Sequence, residues 1–394
     1  MTRLVRAAFI PLLDASLLVA ARERGFAEDE GIDLHLLRET SWANVRDRMA
    51  VGHVDVAHML APMPIAANLG LTPFSTPMIA PMALGLGGNA ITVSTALHAE
   101  ISIADVADAA RAGAGLRSAI TRRKDRGDAL LRLGVVHAHS SHNLELRYWL
   151  AGSGIDPDHD VEIVILPPSF MPDALAQGDL DGYCVGEPWN SAAEILGAGK
   201  ILTTKHAIWA NSPEKVLSMS AQWAERHAGD VESLLRALYK AAQWCGDPAN
   251  ADDLADLLSR PSALAVDASL IRRALTGPAG FVAFERAATF PWESHALWFY
   301  SQMVRWGMVS HTSGHAEIAR RTYRPDLYRT AIGPAGGLVP NANAKVEGAL
   351  RKAEAAGASG GTLMLGPDGF FDGCIFDPDG LDSYIRQQAA GAPP

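Results

Sequence analysis

Short apolar runs alternate with amphipathic helical spacing from the start of the chain to about residue 60, and again from about 133 to 204. Residues 4–10, 32–37 and 54–60 read as strands, with helices at 15–23 and 42–50 between them. The rhythm returns with strands at 133–137, 161–166, 180–185 and 201–204 and helices at 142–150, 172–177 and 188–197. Near-continuous apolar strands separated by helices build a mainly parallel sheet covered on both faces, so the fold class is α/β. Residues 61–88 are rich in Pro, Met and Gly and read as turn, short helix and extended chain; 98–133 and about 220–320 read as helical. From Gly333 the chain is rich in Gly and Asp and is expected to wrap the surface. Extended chain near 85–93 and near 190–215 would join the two blocks by two crossovers. That places residues 1–90 and 195–394 in one lobe and 91–194 in the other. A cleft between lobes that close by hinge motion is the expected ligand site.

With 34 basic and 44 acidic residues the net charge is −10, which excludes the basic footprint of a nucleic-acid-binding surface. An anion site must then be local, since long-range steering would repel the ligand. Three widely spaced cysteines, Cys184, Cys245 and Cys374, form neither a disulfide framework nor a CxxC metal motif. Arg3 and Arg6 before an apolar run resemble a signal peptide, but Pro11 and Asp14 interrupt the run, which reads as strand, turn and helix. A cytoplasmic location and no membrane span are the expectation.

Four constellations stand at predicted strand ends. In VVHAHSSHNLE, Ser140 or Ser141 is a candidate N-cap with Glu145 as its capping partner, and His142 falls in the first helical turn, where free N–H groups favour an anion. Three histidines in six residues also allow a metal, but only His137 and His139 share a strand face, so no metal site is expected; capping with surface histidines is the plainer alternative. In DGYCVGEPWN, Gly186 lets a backbone approach a ligand, although a tight strand-to-helix turn accounts for the same residues. In NSPEKVL, Lys215 is a surface charge unless the fold places it in the cleft. In SWANVRD, Ser41 is a candidate N-cap and Trp42 either roofs a pocket or packs in the core. No Walker loop, GxSxG elbow, HExxH helix, triad or carboxylate pair is present, so neither an enzyme nor a cofactor is expected.

Together with FIPLLDASLLVAARERGFAEDEGIDL, QWCGDPAN, SHALWF, YRPDLY and FFDGCIFDP, these segments resemble the NrtA-like branch of the periplasmic binding proteins, whose members bind nitrate, nitrite or bicarbonate. The resemblance spans nearly the whole chain and implies two α/β lobes of the type II binding-protein kind around an anion cleft. It assigns nitrate or nitrite to Trp42, Asn89, His142, Gly186 and Lys215. Asn89 departs from the family's Gln, keeping the amide donor on a side chain one methylene shorter. Nitrate only accepts hydrogen bonds, and the matched motifs offer donors and one positive charge. Bicarbonate also needs an acceptor, and in the matched motifs only Glu187 clearly offers one; it is expected to point elsewhere. Read as lacking an export segment, the chain is most similar to the cytoplasmic NasS-type nitrate/nitrite sensors. That implies a NasT-type antiterminator as partner, released on ligand binding, with no direct nucleic-acid contact. The alternative is the solute-binding component of a nitrate or bicarbonate importer; an enzyme on a related fold is a third.

Overall fold

The computed structural model describes residues 2–73, 76–103 and 105–389. Its first five strands are β1 (Arg3–Phe9), β2 (Ile32–Arg38), β3 (Val56–Leu60), β4 (Met78–Ala83) and β5 (Asn89–Ser94). The next five are β6 (Leu131–Val135), β7 (Val161–Ile165), β8 (Gly182–Gly186), β9 (Gly199–Thr204) and β10 (Lys215–Ser220). They form two sheets, ordered β2-β1-β3-β10-β4 and β7-β6-β8-β5-β9. In each, three strands run parallel, and the fourth in the order is antiparallel to both neighbours. The two-lobed α/β class is therefore present. β5 follows β4 of the other sheet, and β10 follows β9 of the other sheet, so each crossover delivers the antiparallel strand. The strand Gly199–Thr204, which a boundary at 195 assigns to the first lobe, pairs with β5 in the second sheet.

β3 (VAHML) is buried at every position, which is why it reads as a continuous apolar run. The helix Ala228–Gly246 buries Val231, Leu234, Leu235, Leu238 and Ala242, a single helical stripe, against the helix Ser16–Glu23 and the first sheet's core. An apolar cluster runs unbroken from Trp42 and Met59 in the first lobe to Leu144 and Val185 in the second. Among the described residues no helix is long and apolar enough to cross a membrane.

Three strands escape the sequence reading. β4 lies in the Pro-, Met- and Gly-rich stretch 61–88 that reads as turn, short helix and extended chain; its Pro81 is tolerated because β4 is an edge strand whose pairing with β10 is irregular at this point. β5 and β10 each begin with a polar residue and pair only with strands distant in sequence. The tail also differs from the surface wrap expected. Val339–Pro340, Glu354–Ser359 and Gly361–Leu365 form a small antiparallel sheet, but Phe370, Cys374 and Phe376 enter the core. Buried Glu347 pairs with Lys345, lies 3.3 Å from His295 Nε2 and accepts a 2.7 Å bond from Ser294 Oγ.

The two crossovers lie side by side. Leu86 bridges to Pro213, and Gly87 N donates to Ser212 O at 3.0 Å. Gly87 has φ +69°, and a Cβ there would lie 2.4 Å from the Gly280 carbonyl oxygen. Both the left-handed backbone and the backbone clash oppose any side chain. Gly87→Ala is expected to lower stability by roughly 2–4 kcal/mol in urea denaturation.

Candidate functional site

In α/β sheets the crevice lies beyond the carboxyl ends of the parallel strands. Here the antiparallel strands bring their amino ends to the same line. Lys215 opens β10 opposite Leu60, the last residue of β3, and Asn89 opens β5 opposite Gly186, the last residue of β8. The chain leaving β1 forms the 3-10 turn Leu13–Ala15, which carries Asp14. After β2, Ser41 caps the helix Trp42–Ala50 by accepting from Asn44 N at 3.2 Å, and so fixes Trp42 in the first turn. After β6, Ser140 caps the helix Ser141–Gly152 through Asn143 N at 3.0 Å, which places Ser141 and His142 at its start.

Three of the five residues named by the family resemblance, Asn89, His142 and Lys215, meet around one carboxylate, Glu214, with Trp42 beside Lys215 and Gly186 opposite Asn89. Lys215 Nζ donates to Glu214 Oε1 at 2.6 Å and to Asp14 Oδ2 at 2.9 Å. Asn89 Nδ2 and Ser141 Oγ donate to Glu214 Oε2 at 2.6 and 2.5 Å. Lys205 also donates to Oε2, to Pro213 O at 2.8 Å, and pairs with Glu145 Oε1 at 3.1 Å. His142 Nε2 lies 3.2 Å from Glu214 Oε1 without hydrogen-bond alignment. The Lys215 ammonium sits 5.4 Å from the centroid of the Trp42 ring, whose buried Nε1 has no protein partner. A Cβ on Gly186 would come within 3.1 Å of Asn89 Oδ1, so glycine here lets the Asn89 side chain cross the strand. Every one of these residues is buried.

Burial raises the pKa of the Asp14 carboxyl, but Lys215 and then His58, whose Nε2 lies 2.8 Å away, outweigh it and bring it down to about 2. Glu214 is likewise held well below the ordinary carboxylate range: burial opposes ionisation, while His142, Lys205 and Lys215 favour it. Burial lowers His142 to about 3 despite Glu214, so its ring is neutral near pH 7. Burial would lower the Lys205 ammonium, but Glu145 and Glu214 reverse that and raise it. Glu145 is pushed up to about 7 by burial, against the pull of Lys205. Two ammonium groups therefore face two firmly ionised carboxylates and a third that titrates near neutrality.

Glu145 is thus not the capping partner expected of it; Ser140 caps alone, and Glu145 accepts from Ser212 Oγ at 2.5 Å. His137 and His139 have partners of their own. His139 N donates to His137 Nδ1 at 3.0 Å, and His139 Nε2 lies 3.3 Å from Leu71 O. Among the described residues no group of three His, Cys, Asp or Glu is placed to hold a metal ion. Asp14, His58, Lys205 and Glu214 were missed. Glu214 stood inside the motif that named Lys215, and Asp14 inside the first apolar run, where a charge that nothing local pairs was the available signal.

Glu187 points elsewhere: it is buried and accepts from Ser191 N and Ser191 Oγ at 3.1 and 3.2 Å, in the first turn of the helix Trp189–Ile195. Burial pushes it up to about 7 although the Ser191 bonds oppose this. A folded carboxyl pKa above the unfolded one means that the folded state holds more protons between about pH 4.5 and 7, so this group makes stability fall as pH rises through that window. Glu187→Gln keeps the acceptor and removes the titration. It is expected to be more stable than the parent at pH 8, by on the order of 2 kcal/mol, and near equal at pH 4.5, read from denaturation midpoints at both pH values.

A model of the NMT1-like family matches residues 2–259. The nitrate/nitrite binding protein NrtA of Synechococcus elongatus is 30% identical over 399 residues, covering 96% of this chain and 84% of that protein. The nitrate import ATP-binding protein NrtC of Synechocystis and the bicarbonate transport ATP-binding protein CmpC of Synechococcus elongatus are each 34% identical over 82% of this chain. The chain spans about half the length of these two, 49% and 48%. The crystal structure of the periplasmic nitrate-binding protein NrtA from Synechocystis superposes with a TM-score of 0.84 at 25% identity, covering 98% of both chains.

Proposed function

Because the chain belongs to the NMT1-like family and is an NrtA-like binding protein, we propose that it holds one small planar oxyanion between its lobes as the solute-binding component of an importer. The observation that carries this is the convergence of Lys215, Asn89, Ser141 and Lys205, from both sheets, the helix after β6 and the second crossover, on a single planar monoanionic group. Nitrite has the same two-oxygen outline as a carboxylate, and nitrate adds a third acceptor. Trp42 offers a ring face and an indole N–H to such a ligand. Relatives named for nitrate and nitrite binding, aligned along nearly the whole chain, favour the same ligand class. The site is not made of donors alone, because Glu145 and Asp14 stand within the same cluster. Bicarbonate, which has a hydroxyl to donate, therefore belongs in the same test.

Calorimetric titration of the full chain with nitrate, nitrite, bicarbonate, chloride and sulfate tests the reading. One-to-one saturable binding of nitrate or nitrite, without a response to chloride or sulfate, is expected. Binding of bicarbonate alone would reassign the ligand, and silence with all five would end the anion reading. The cytoplasmic sensor with a NasT-type antiterminator is a second reading of the same cleft. It differs in compartment and partner. Recovery of the native protein in the cytoplasm in complex with an RNA-binding antiterminator would favour it; recovery in the periplasm would favour the importer. The relatives named for nitrate import and bicarbonate transport favour the importer.

A further inference from the structure

We propose that Glu214 is the site's own anion: its carboxylate occupies the ligand position, and a bound oxyanion must exchange with it. This rests on the anion-binding reading above.

Glu214 is ringed by Asn89, Ser141, His142, Lys205 and Lys215, and these include three of the five residues that the family resemblance implies for the ligand. Its two oxygens are divided between donors of the two lobes. Oε1 takes the Lys215 ammonium from the first sheet, and Oε2 takes Asn89 from the second sheet and Ser141 from the helix after β6. The side chain therefore joins the lobes as a ligand would.

Neither lysine depends on it. Lys215 keeps Asp14 at 2.9 Å, and Lys205 keeps Glu145 at 3.1 Å and Pro213 O at 2.8 Å. A carboxylate needed only to neutralise buried lysines would be redundant here. An anion added beside Glu214 would instead leave an excess of buried negative charge, which is strongly unfavourable. Exchange keeps the charge constant.

The position of Glu214 in the chain suits exchange. It lies in the turn between the helix Lys205–Ile208 and β10, on the second crossover, where Asn211 has φ 65° and Pro213 bridges to Leu86 of the first crossover. Movement of Glu214 therefore acts on the segments that join the lobes.

Apparent affinity falls by the fraction of time the competent state is populated. If Glu214 holds the site nine-tenths of the time, removing its charge tightens ligand binding about tenfold. The test is nitrate and nitrite affinity of the full chain, of Glu214→Gln, which keeps size and loses charge, and of Glu214→Asp, which keeps charge and withdraws it by one methylene. Gln is expected to bind about tenfold more tightly or better, Asp to a smaller degree, and the melting temperature of the Gln variant should rise with nitrate at concentrations too low to shift the parent. Equal or weaker binding by both variants would overturn the proposal and make Glu214 a support for the donors. Loss of folding in both would overturn it too, as the mark of a structural carboxylate. If the parent and folded variants bind no oxyanion, the underlying anion reading fails instead.

Discussion

Lys215→Met is expected to abolish saturable oxyanion binding and to destabilise the protein by about 3–5 kcal/mol. The side chain is fully buried and is shared between Asp14 and Glu214. Met preserves its length but leaves Asp14 with only His58 and gives Glu214 only polar donors and Lys205. Removing one member of a buried pair strands the other, and this costs more than the pair itself contributes. Acid titration gives a second readout. Burial raises Asp14 and Lys215 lowers it, with a folded value of about 2 against an ordinary 3.8. Its stabilising contribution is therefore complete above about pH 4 and lost as pH falls through 2. The parent should lose stability in that window, and the variant should lose less, because its Asp14 starts nearer the ordinary value. Urea denaturation at pH 7 and pH 3 measures both effects.

Trp209→Ala should cost about 3–5 kcal/mol, the range for emptying a buried Trp site. Trp209 is buried just after the helix Lys205–Ile208, its ring centroid 4.6 Å from Trp298 and 4.8 Å from Phe370, the latter nearly stacked at 20°. Its backbone bridges to Phe370, and Phe371 N donates to Ile208 O at 2.8 Å. The second crossover is thus bonded to the tail, and loss of the ring should loosen residues after 333 before the rest. Limited proteolysis is expected to cut the variant's tail first, with Trp209→Phe intermediate in melting temperature.

What could be read from the sequence follows the physics of each element. The central parallel strands β3, β6 and β8 are buried at nearly every position and stand out as apolar runs, and Ser41 and Ser140 mark the helices after β2 and β6. β4, β5 and β10 could not be read in this way, because MIAPMA holds a proline and NAITVS and KVLSMS each begin with a polar side chain. Those polar first residues, Asn89 and Lys215, both donate to Glu214: the feature that hid the strands is the one the candidate site is built from. The same contrast holds for charge. Local spacing raised His142, Gly186 and Lys215 as candidates, each at an element end, and left a plain structural role open for each until the family resemblance named them. It did not show that Asp14, Glu145, Lys205 and Glu214 would be buried together, since only tertiary packing brings residues 14, 145, 205 and 214 into contact. Glu145 was assigned to a cap because Ser and Glu at helical spacing suggest one, yet its true partners, Lys205 and Ser212, come from another part of the chain.

A crystal structure of the full chain grown with saturating nitrate or nitrite would test the central claim most directly. A planar anion is expected between the sheets, within hydrogen-bond distance of Lys215 Nζ and Asn89 Nδ2 and beneath Trp42, with the Glu214 carboxylate withdrawn from them. An anion bound elsewhere, with Glu214 still seated on Lys215, Asn89 and Ser141, would contradict it.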